Sequence, residues 1–474
     1  GENTAIRIPN PYFNDFFVAC NDFARYFPDD KKLPEVLMKF GETLFNLGYY
    51  EQAKQAYITV VNRNMDTGFT IQAYSMIAQS AFKQEDYITA EKWFRRVKEE
   101  FPDSTQYVQK AETMIASAKF KLAEQLKQQG KVEYAAQAFE NIAAESKNPG
   151  IAERALLKAA LEYEKTGERT KAIIIYENLR YRFPNSNKVD ESLFKAAALA
   201  EELPDYKRAA EDYLELFKLR PNSIYASKAL FNAAICYENL QDLDRAAQIY
   251  EKYALNFRED AQQYLEALVK VGEIAMGKKN KGKARQMFTR VLREYSAFIQ
   301  QGKSVDEYLP AEAQYKLGDM FFEEYRNVKL VDPLVVNLKK KQRLFKQVVL
   351  ACQNTAKYKV ADWTTAALYR IGEAYEEFGQ AFIDAPRPKG LNPEMLSKYE
   401  KSLKSKVDPL KQKALETYRQ NLRLAEENNI QNNWIQLSRE RAEKLTIELG
   451  LAKADPAAAA SKPEISDKTR FNEK

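Results

Sequence analysis

The stretch ALEYEKTGERTKAIIIYENLRYRFP, residues 160–184, holds a pattern of small, aromatic and turn-forming residues. A small residue stands at Ala160, and Gly167 follows where the chain is expected to reverse. Ala172 and Tyr176 stand 12 and 16 residues after Ala160, and a proline ends the stretch. Glycine favours the reversal after a helix and proline stops the next helix, so the stretch predicts two helices joined by a short turn.

The same pattern recurs along the chain at a spacing of about 37 residues. The small residue stands at Gly41, Ala78, Ala123, Ala160, Ala197, Ala234, Gly272, Gly318 and Gly372. Alanines follow the first seven at Ala53, Ala90, Ala135, Ala172, Ala209, Ala246 and Ala284, and aromatic residues come four positions later at Tyr57, Phe94, Phe139, Tyr176, Tyr213, Tyr250 and Phe288. Small side chains let two helices approach closely, and we expect the aromatic ring to fill the gap between one hairpin and the next. Because one hairpin cannot bury this face alone, the hairpins must stack.

This spacing resembles the tetratricopeptide repeat family, closely over residues 34–296 and more loosely over residues 310–450. The unit is slightly longer than that family's usual ~34 residues. In this it resembles the periplasmic branch of the family, such as BamD-like and YbgF-like proteins. A proline-rich interruption at 380–413 resembles one in repeat proteins of gliding-motility machines. The resemblance implies an all-α fold, a right-handed superhelical solenoid of about nine helix-turn-helix hairpins.

Four parts of the chain are predicted from where the pattern holds. Residues 1–33 form an N-terminal cap, residues 34–300 a regular array, and residues 301–450 an irregular array interrupted by an inserted segment at 380–413. Residues 451–474 are predicted to be a disordered tail because they lack apolar periodicity. Within the inserted segment, Asn392 and Pro393 are predicted to cap and begin a helix.

Composition argues against an enzyme. The chain has no histidine, which removes the commonest general base and metal ligand, and its three cysteines lie far apart without metal-binding spacing. Phosphate-binding glycine motifs and metalloprotease motifs are also missing from the sequence. We therefore expect no catalytic residue, no metal and no cofactor.

The first candidate site is the inner face of the array. In the family that the chain resembles, this face is formed by first-helix positions six and three before the small residue and one and four after it. The residues that we assign to partner binding are Arg154, Glu164, Phe194, Glu201, Phe231 and Glu238. Glutamates in three consecutive units beside aromatic residues would suit a basic, partly apolar peptide. The alternative is a solvated helix face that repeats with the units.

Two further candidate surfaces come from charge and from the inserted segment. Residues 271–350 hold 16 Lys and Arg against nine Asp and Glu, and the chain as a whole carries a net charge of only +6. We assign a basic patch to Lys278, Lys279, Lys281, Lys283 and Arg285, with a second basic run at 337–343. It would contact an acidic partner or anionic lipid, or else only solubilise turns.

A docking rim is assigned to Pro386, Arg387, Pro388, Leu391 and Tyr399, the alternative being a cap on the last repeat.

The resulting functional prediction is a non-enzymatic scaffold for protein–protein interactions. The resemblance implies a multiprotein complex of the bacterial envelope, such as a gliding-motility machine or an outer-membrane assembly complex, with envelope subunits or a basic and apolar peptide as partners. The expected location is periplasmic or outer-membrane-associated, with peripheral membrane contact and no nucleic acid. Because the chain begins at Gly1 rather than Met, we expect it to be a processed or trimmed fragment, so the lack of a signal peptide does not argue against export. The alternatives are a cytoplasmic or motor-associated adaptor, and the repeat portion or regulatory subunit of a cell-wall enzyme.

Overall fold

The computed structural model describes residues 11–63, 67–388 and 390–451, and all regular structure in these ranges is helical. The chain divides into two compact units, Gly1–Asp242 and Leu243–Lys474. This division does not coincide with the boundary predicted at residue 300, which followed the regularity of the repeat. The predictions for residues 1–10 and for the tail after residue 451 lie outside the described residues.

The first unit contains twelve described helices, most of them 13 to 17 residues long. They are α1 (Pro11–Tyr26), α2 (Leu33–Asn46), α3 (Tyr50–Asn62), α4 (Thr67–Lys83), α5 (Tyr87–Glu100), α6 (Thr105–Gln128), α7 (Val132–Glu145), α8 (Pro149–Lys165), α9 (Arg169–Arg182), α10 (Val189–Glu202), α11 (Tyr206–Leu219) and α12 (Ala226–Asn239).

The second unit contains eight described helices, and the later ones are longer. They are α13 (Leu243–Asn256), α14 (Ala261–Gly277), α15 (Lys281–Gln300), α16 (Tyr308–Arg326), α17 (Leu334–Ala356), α18 (Ala361–Asp384), α19 (Pro393–Asn428) and α20 (Asn433–Glu448). From α2 to α19 the described helices follow one another as nine helix-turn-helix segments, of which α12–α13 is divided between the two units. The predicted all-α repeat of helical hairpins is thereby confirmed. None of the described helices is both long enough and apolar enough to span a membrane.

Short turns of a common geometry join the helices of the regular hairpins. The middle residue of a three-residue turn has a left-handed backbone, as at Gly167 with a φ of +80° and at Lys279 with a φ of +59°. The next residue often caps the second helix: the Asn280 side chain accepts a hydrogen bond from the Lys283 backbone N–H at 3.1 Å. These caps satisfy amide groups that would otherwise be unpaired at the helix start.

Small residues and aromatic rings of the repeat meet inside each hairpin. A Cβ atom added at Gly41 would lie 2.6 Å from the Tyr57 ring, and one added at Gly272 would lie 2.6 Å from the Phe288 ring. Tyr57 also joins a buried cluster with Ala73 and Ile77 of the following helix α4. The ring therefore packs against the next hairpin, as predicted, and it also fills space within its own hairpin.

The inserted segment predicted at 380–413 is mostly helical. Its first residues continue α18 to Asp384, and its last twenty-one belong to α19, which begins at Pro393. The connecting segment is thus only residues 385–392. As predicted, Asn392 caps α19, accepting a hydrogen bond from the Met395 backbone N–H at 2.8 Å. The extra length of this repeat is mostly helix because its residues extend the two arms of the hairpin.

Candidate partner-binding groove

Two of the glutamates assigned to partner binding accept hydrogen bonds from tyrosines of their own hairpins. The Tyr176 hydroxyl donates a hydrogen bond to Glu164 at 3.0 Å, and the Tyr213 hydroxyl donates one to Glu201 at 2.8 Å. Glu201 also accepts a hydrogen bond from the Cys236 thiol at 3.3 Å. One role of the repeated glutamate is therefore to satisfy a tyrosine hydroxyl that packing has buried.

The other residues of that assignment differ in their accessibility. Phe231 is buried and cannot be a surface contact, so this part of the assignment is wrong. Phe194 is half-buried and packs on the rings of Tyr213 and Tyr225, with centroids 5.4 Å and 5.2 Å away.

Arg154 is exposed, with its guanidinium 5.5 Å from the Phe120 ring centroid, and Glu238 is half-buried near the end of α12. Partner binding through Arg154, Glu164, Phe194, Glu201 and Glu238 stays a prediction.

The assigned basic patch is largely neutralised by carboxylates of neighbouring helices. Lys281 pairs with Glu323 at 2.7 Å and Arg285 with Glu324 at 2.6 Å, both on α16. On the other side, Lys283 pairs with Glu251 at 2.5 Å and Lys278 pairs with Asp244, both on α13. Lys279 occupies the left-handed turn position. Four of the five assigned cations are therefore paired within the chain. Contact of this patch with an acidic partner or anionic lipid stays a prediction.

The assigned docking rim lies in the short connection before α19. Arg387 donates hydrogen bonds to the backbone oxygens of Ile383 and Ala385, at 2.8 Å and 3.0 Å, and lies 5.7 Å from the Tyr399 ring centroid. It therefore covers carbonyl groups at the end of α18. Pro386 and Pro388 are exposed and Leu391 is half-buried. Docking on this rim stays a prediction.

A groove in the first unit joins the inner faces of helices α2, α4 and α6. It has a volume of about 560 Å³, and it is lined by Glu35, Met38, Lys39, Glu42, Phe45, Asn46, Tyr57, Phe69, Gln72, Ser75, Met76, Gln79, Tyr107 and Lys110. In the first hairpin, the lining includes the four positions that lie six and three before Gly41 and one and four after it. These are the inner-face positions that the family resemblance implies, in hairpins to which no site had been assigned.

Tyr57 gives this groove an unusual polar group. Its side chain is fully buried, and within the described part of the chain its hydroxyl has no hydrogen-bond partner. Burial, together with the nearby charge of Glu42, raises the pKa of Tyr57 above its ordinary value, so the hydroxyl keeps its proton. A buried donor without an acceptor costs free energy, so a ligand that supplied an acceptor to this hydroxyl would be stabilised.

Comparison with the ninth hairpin shows why Tyr57 lacks a partner. There, Gly372 lies under the Tyr418 ring as Gly41 lies under the Tyr57 ring. Glu376, four residues after Gly372, accepts a hydrogen bond from the Tyr418 hydroxyl at 2.6 Å. The corresponding position in the first hairpin is Phe45, which has no acceptor. The missing acceptor was visible in the sequence, because Phe45 occupies a repeat position that is glutamate in several other repeats.

Three segments of the chain match known repeat families. One tetratricopeptide repeat model matches residues 154–186 and 228–260, and a second matches residues 34–64. Residues 34–64, 154–186 and 228–260 are therefore similar to tetratricopeptide repeats. Their fold is typically a non-enzymatic scaffold, and the matches support a scaffold for protein–protein interactions. The narrower likeness to BamD-like or YbgF-like proteins is not shown by them.

Solved structures with some likeness to the chain include MamA, which is 18% identical over 38% of this chain and 96% of its own length, with a TM-score of 0.27. BtubC (BKLC) from P. vanneervenii is 16% identical over 45% of this chain and 89% of its own, also with a TM-score of 0.27. YrrB, described as a TPR protein with an unusual peptide-binding site, is 17% identical over 42% and 91%, with a TM-score of 0.27. Values this low support no statement about what this chain binds. No match was found among curated protein sequences.

Proposed function

We propose that this protein is a non-enzymatic scaffold that holds a segment of a partner protein in the groove of its first unit. The observation that carries the proposal is the Tyr57 hydroxyl, which is buried, protonated and unpartnered at a groove lined by Met38, Phe45 and Met76. A partner segment with an apolar side chain would cover the methionines and the phenylalanine. Side chains that cover the Tyr57 hydroxyl would shift as the partner binds, so that a backbone carbonyl or carboxylate of the partner accepts its hydrogen bond.

The cellular setting that we propose is a multiprotein complex of the bacterial envelope, in the periplasm or at the outer membrane. It rests on the longer repeat unit and its resemblance to the periplasmic branch of the family. Fractionation of cells that express the natural gene, followed by crosslinking in the intact envelope, tests it. Recovery of the protein in the cytoplasmic fraction, crosslinked to cytoplasmic proteins, would favour the adaptor alternative.

The binding role is tested by removing the Tyr57 hydroxyl and keeping the ring. Tyr57→Phe should weaken capture of the partner, about tenfold for the loss of one buried hydrogen bond, with unchanged or slightly higher thermal stability. The matched control is Tyr418→Phe, which removes a hydroxyl that already has an internal acceptor and should lower stability but not partner capture.

A second variant tests the same idea in the opposite way. Phe45→Glu supplies the carboxylate that the ninth hairpin has, so Tyr57 should gain an internal acceptor and the groove should lose its partner. Capture would be measured by a photocrosslinking residue placed at Gln79, followed by titration of the crosslinked peptide. If Tyr57→Phe and Phe45→Glu both bind that peptide as tightly as the unmodified protein, the groove is not the partner site.

A further inference from the structure

Helix α17 carries the second basic run, residues 337–343, on an exposed face that the proposed groove does not use. Its 23 residues include five basic side chains, at Lys339, Lys340, Lys341, Arg343 and Lys346, and no acidic one. Lys341 alone of these is buried. The other four are exposed and form no ion pair within the described part of the chain, unlike the assigned basic patch on α15.

The exposed residues form one continuous stripe. With 100° between successive residues of a helix, the positions opposite the buried Lys341 are 336, 339, 343, 346 and 350. They are Val336, Lys339, Arg343, Lys346 and Leu350, with apolar side chains at both ends and three cations between them. Val336 is 60% exposed and Leu350 is 59% exposed.

The beginning of the helix adds more exposed aliphatic surface. Val331, Leu334 and Val335 are 45%, 47% and 64% exposed, so with Val336 four aliphatic side chains meet solvent within six residues. Exposed apolar surface of this kind commonly marks an interaction site. The helix passes beyond the end of α16, because Lys341, two turns into α17, already contacts the backbone oxygens of Tyr325 and Val328 at 3.2 Å and 3.1 Å.

From these observations we propose that the outer face of α17 docks on an anionic lipid surface, with the aliphatic side chains at its N-terminal end inserted among the headgroups. A cationic face beside exposed aliphatic residues is the pattern of a helix that lies at a membrane interface. Nucleic acid would account for the cations but not for four exposed aliphatic residues, and aromatic side chains for base stacking are missing from this stripe. The proposal does not rest on the groove of the first unit.

The test is flotation of the whole chain with lipid vesicles of phosphatidylcholine, with and without phosphatidylglycerol. Binding is expected only with phosphatidylglycerol and should weaken as salt is added. Replacing Lys339, Arg343 and Lys346 with Gln should weaken binding on the order of a hundredfold, since each cation near such a surface contributes about fivefold. The matched control replaces the exposed Lys92, Lys207 and Lys228 of the first unit with Gln and should bind as the unmodified protein does.

A second pair of variants tests the aliphatic part. Val335→Ser with Val336→Ser should weaken vesicle binding roughly tenfold. The control, Ile88→Ser with Ile224→Ser, changes two residues that are 69% and 85% exposed and should have no effect. Circular dichroism should show the same helicity for all variants.

Full binding by either the Gln or the Ser variant of α17, an equal loss in its control, or no binding of the unmodified protein would each overturn the proposal. Full binding by the Ser variant alone would show that the cations suffice and that the aliphatic side chains do not insert. Because Tyr57→Phe tests a different site, the failure of one proposal is distinguishable from the failure of the other.

Discussion

At the scale of single residues, the closest packing in the fold is between a glycine and an aromatic ring. Two glycines of α14 allow a direct comparison, because a Cβ added at Gly272 would lie 2.6 Å from the Phe288 ring and one added at Gly277 would meet nothing within 4 Å. Gly272→Ala should therefore lower the free energy of unfolding by about 1–3 kcal/mol through overpacking. Gly277→Ala should leave it unchanged or raise it by up to about 1 kcal/mol, because alanine favours helix. Thermal denaturation of both variants checks this, and equal melting temperatures would mean that the ring moves aside freely.

A buried acidic pair predicts a dependence of stability on pH. Asp212 is 4% exposed and lies in the same cluster as Glu177, which Arg208 holds by two hydrogen bonds of 2.6 Å and 2.8 Å. Arg180, the other cation facing Asp212, is 3.6 Å away. Burial and the charge of Glu177 raise the pKa of Asp212 above its ordinary value of 3.8. The Asp212 carboxyl therefore keeps its proton in the folded chain at pH values where it would lose that proton in the unfolded chain. Stability from this group is therefore present at low pH and is lost as pH rises through the raised pKa.

The variant Asp212→Asn isolates this effect, because asparagine keeps the shape and can donate a hydrogen bond but does not titrate. Its melting temperature should exceed that of the unmodified protein at pH 8, and the difference should shrink as the pH is lowered toward 4. Asp244→Asn is the control, since the Asp244 side chain is 82% exposed and pairs with Lys278 at the surface. A difference that grows toward low pH would show that the Asp212 carboxylate is charged in the folded protein.

At the scale of elements, the sequence predicted hairpins better than helix lengths. Positions such as Ala172 and Tyr176 must repeat because each contacts a fixed place on the neighbouring helix, so the register is visible in the residues themselves. Residues outside these contacts need not repeat, so the sequence does not fix where a helix ends. Helices α18 and α19 both extend beyond the residues that make the repeated contacts. Pro386 and Pro388 indicated a long interruption, but they lie in the short connection between α18 and α19. Pro409 does not end α19, which continues to Asn428.

The candidate sites show the same limit. The run 277–285 is basic in sequence, yet its partners Glu251, Glu323 and Glu324 belong to helices 30 or more residues away, and a local count of charge cannot include them. The groove was within reach of sequence reasoning, because Phe45 replaces a glutamate of the repeat. What the sequence could not show is that the Tyr57 hydroxyl is left without another acceptor.

Lys341 ties helix α17 to the rest of its unit and predicts a large effect on stability. Its ammonium donates to the backbone oxygens of Tyr325 and Val328 near the end of α16, and to Glu377 of α18 at 3.2 Å, with the Tyr325 ring 4.4 Å away. Burial lowers the pKa of Lys341, and the carboxylate of Glu377 opposes that change. Lys341→Met should lower the free energy of unfolding by about 3–5 kcal/mol, because three acceptors lose a buried cation.

The control for this prediction is Lys340→Met, one residue earlier on the exposed side of the helix, which should change stability by less than about 0.5 kcal/mol. Denaturant titration followed by circular dichroism measures both. A small effect of Lys341→Met would mean that water or another side chain reaches the freed carbonyl groups.

At the scale of the whole molecule, a repeat array is stabilised by contacts between neighbours along the chain. Helix α16 packs against both α15 and α17, and it also meets α14 and α18, while α20 closes the second unit against α19 and α18. Protection of backbone amides from hydrogen exchange should therefore be higher in α16 than in α20, since an end helix opens at lower cost.

The same argument predicts how far a local change spreads within the second unit. Gly272→Ala strains the contact between α14 and α15, so amide protection should fall in those two helices and in α16, which packs on both. Protection in α20 should stay as it is, because nearest-neighbour coupling weakens with each intervening repeat. Hydrogen exchange read by mass spectrometry at peptide level compares the two, with Gly277→Ala as the unstrained reference. An equal fall in α14 and α20 would show instead that the second unit opens as one cooperative block, and that its helices are coupled more strongly than neighbour contacts alone provide.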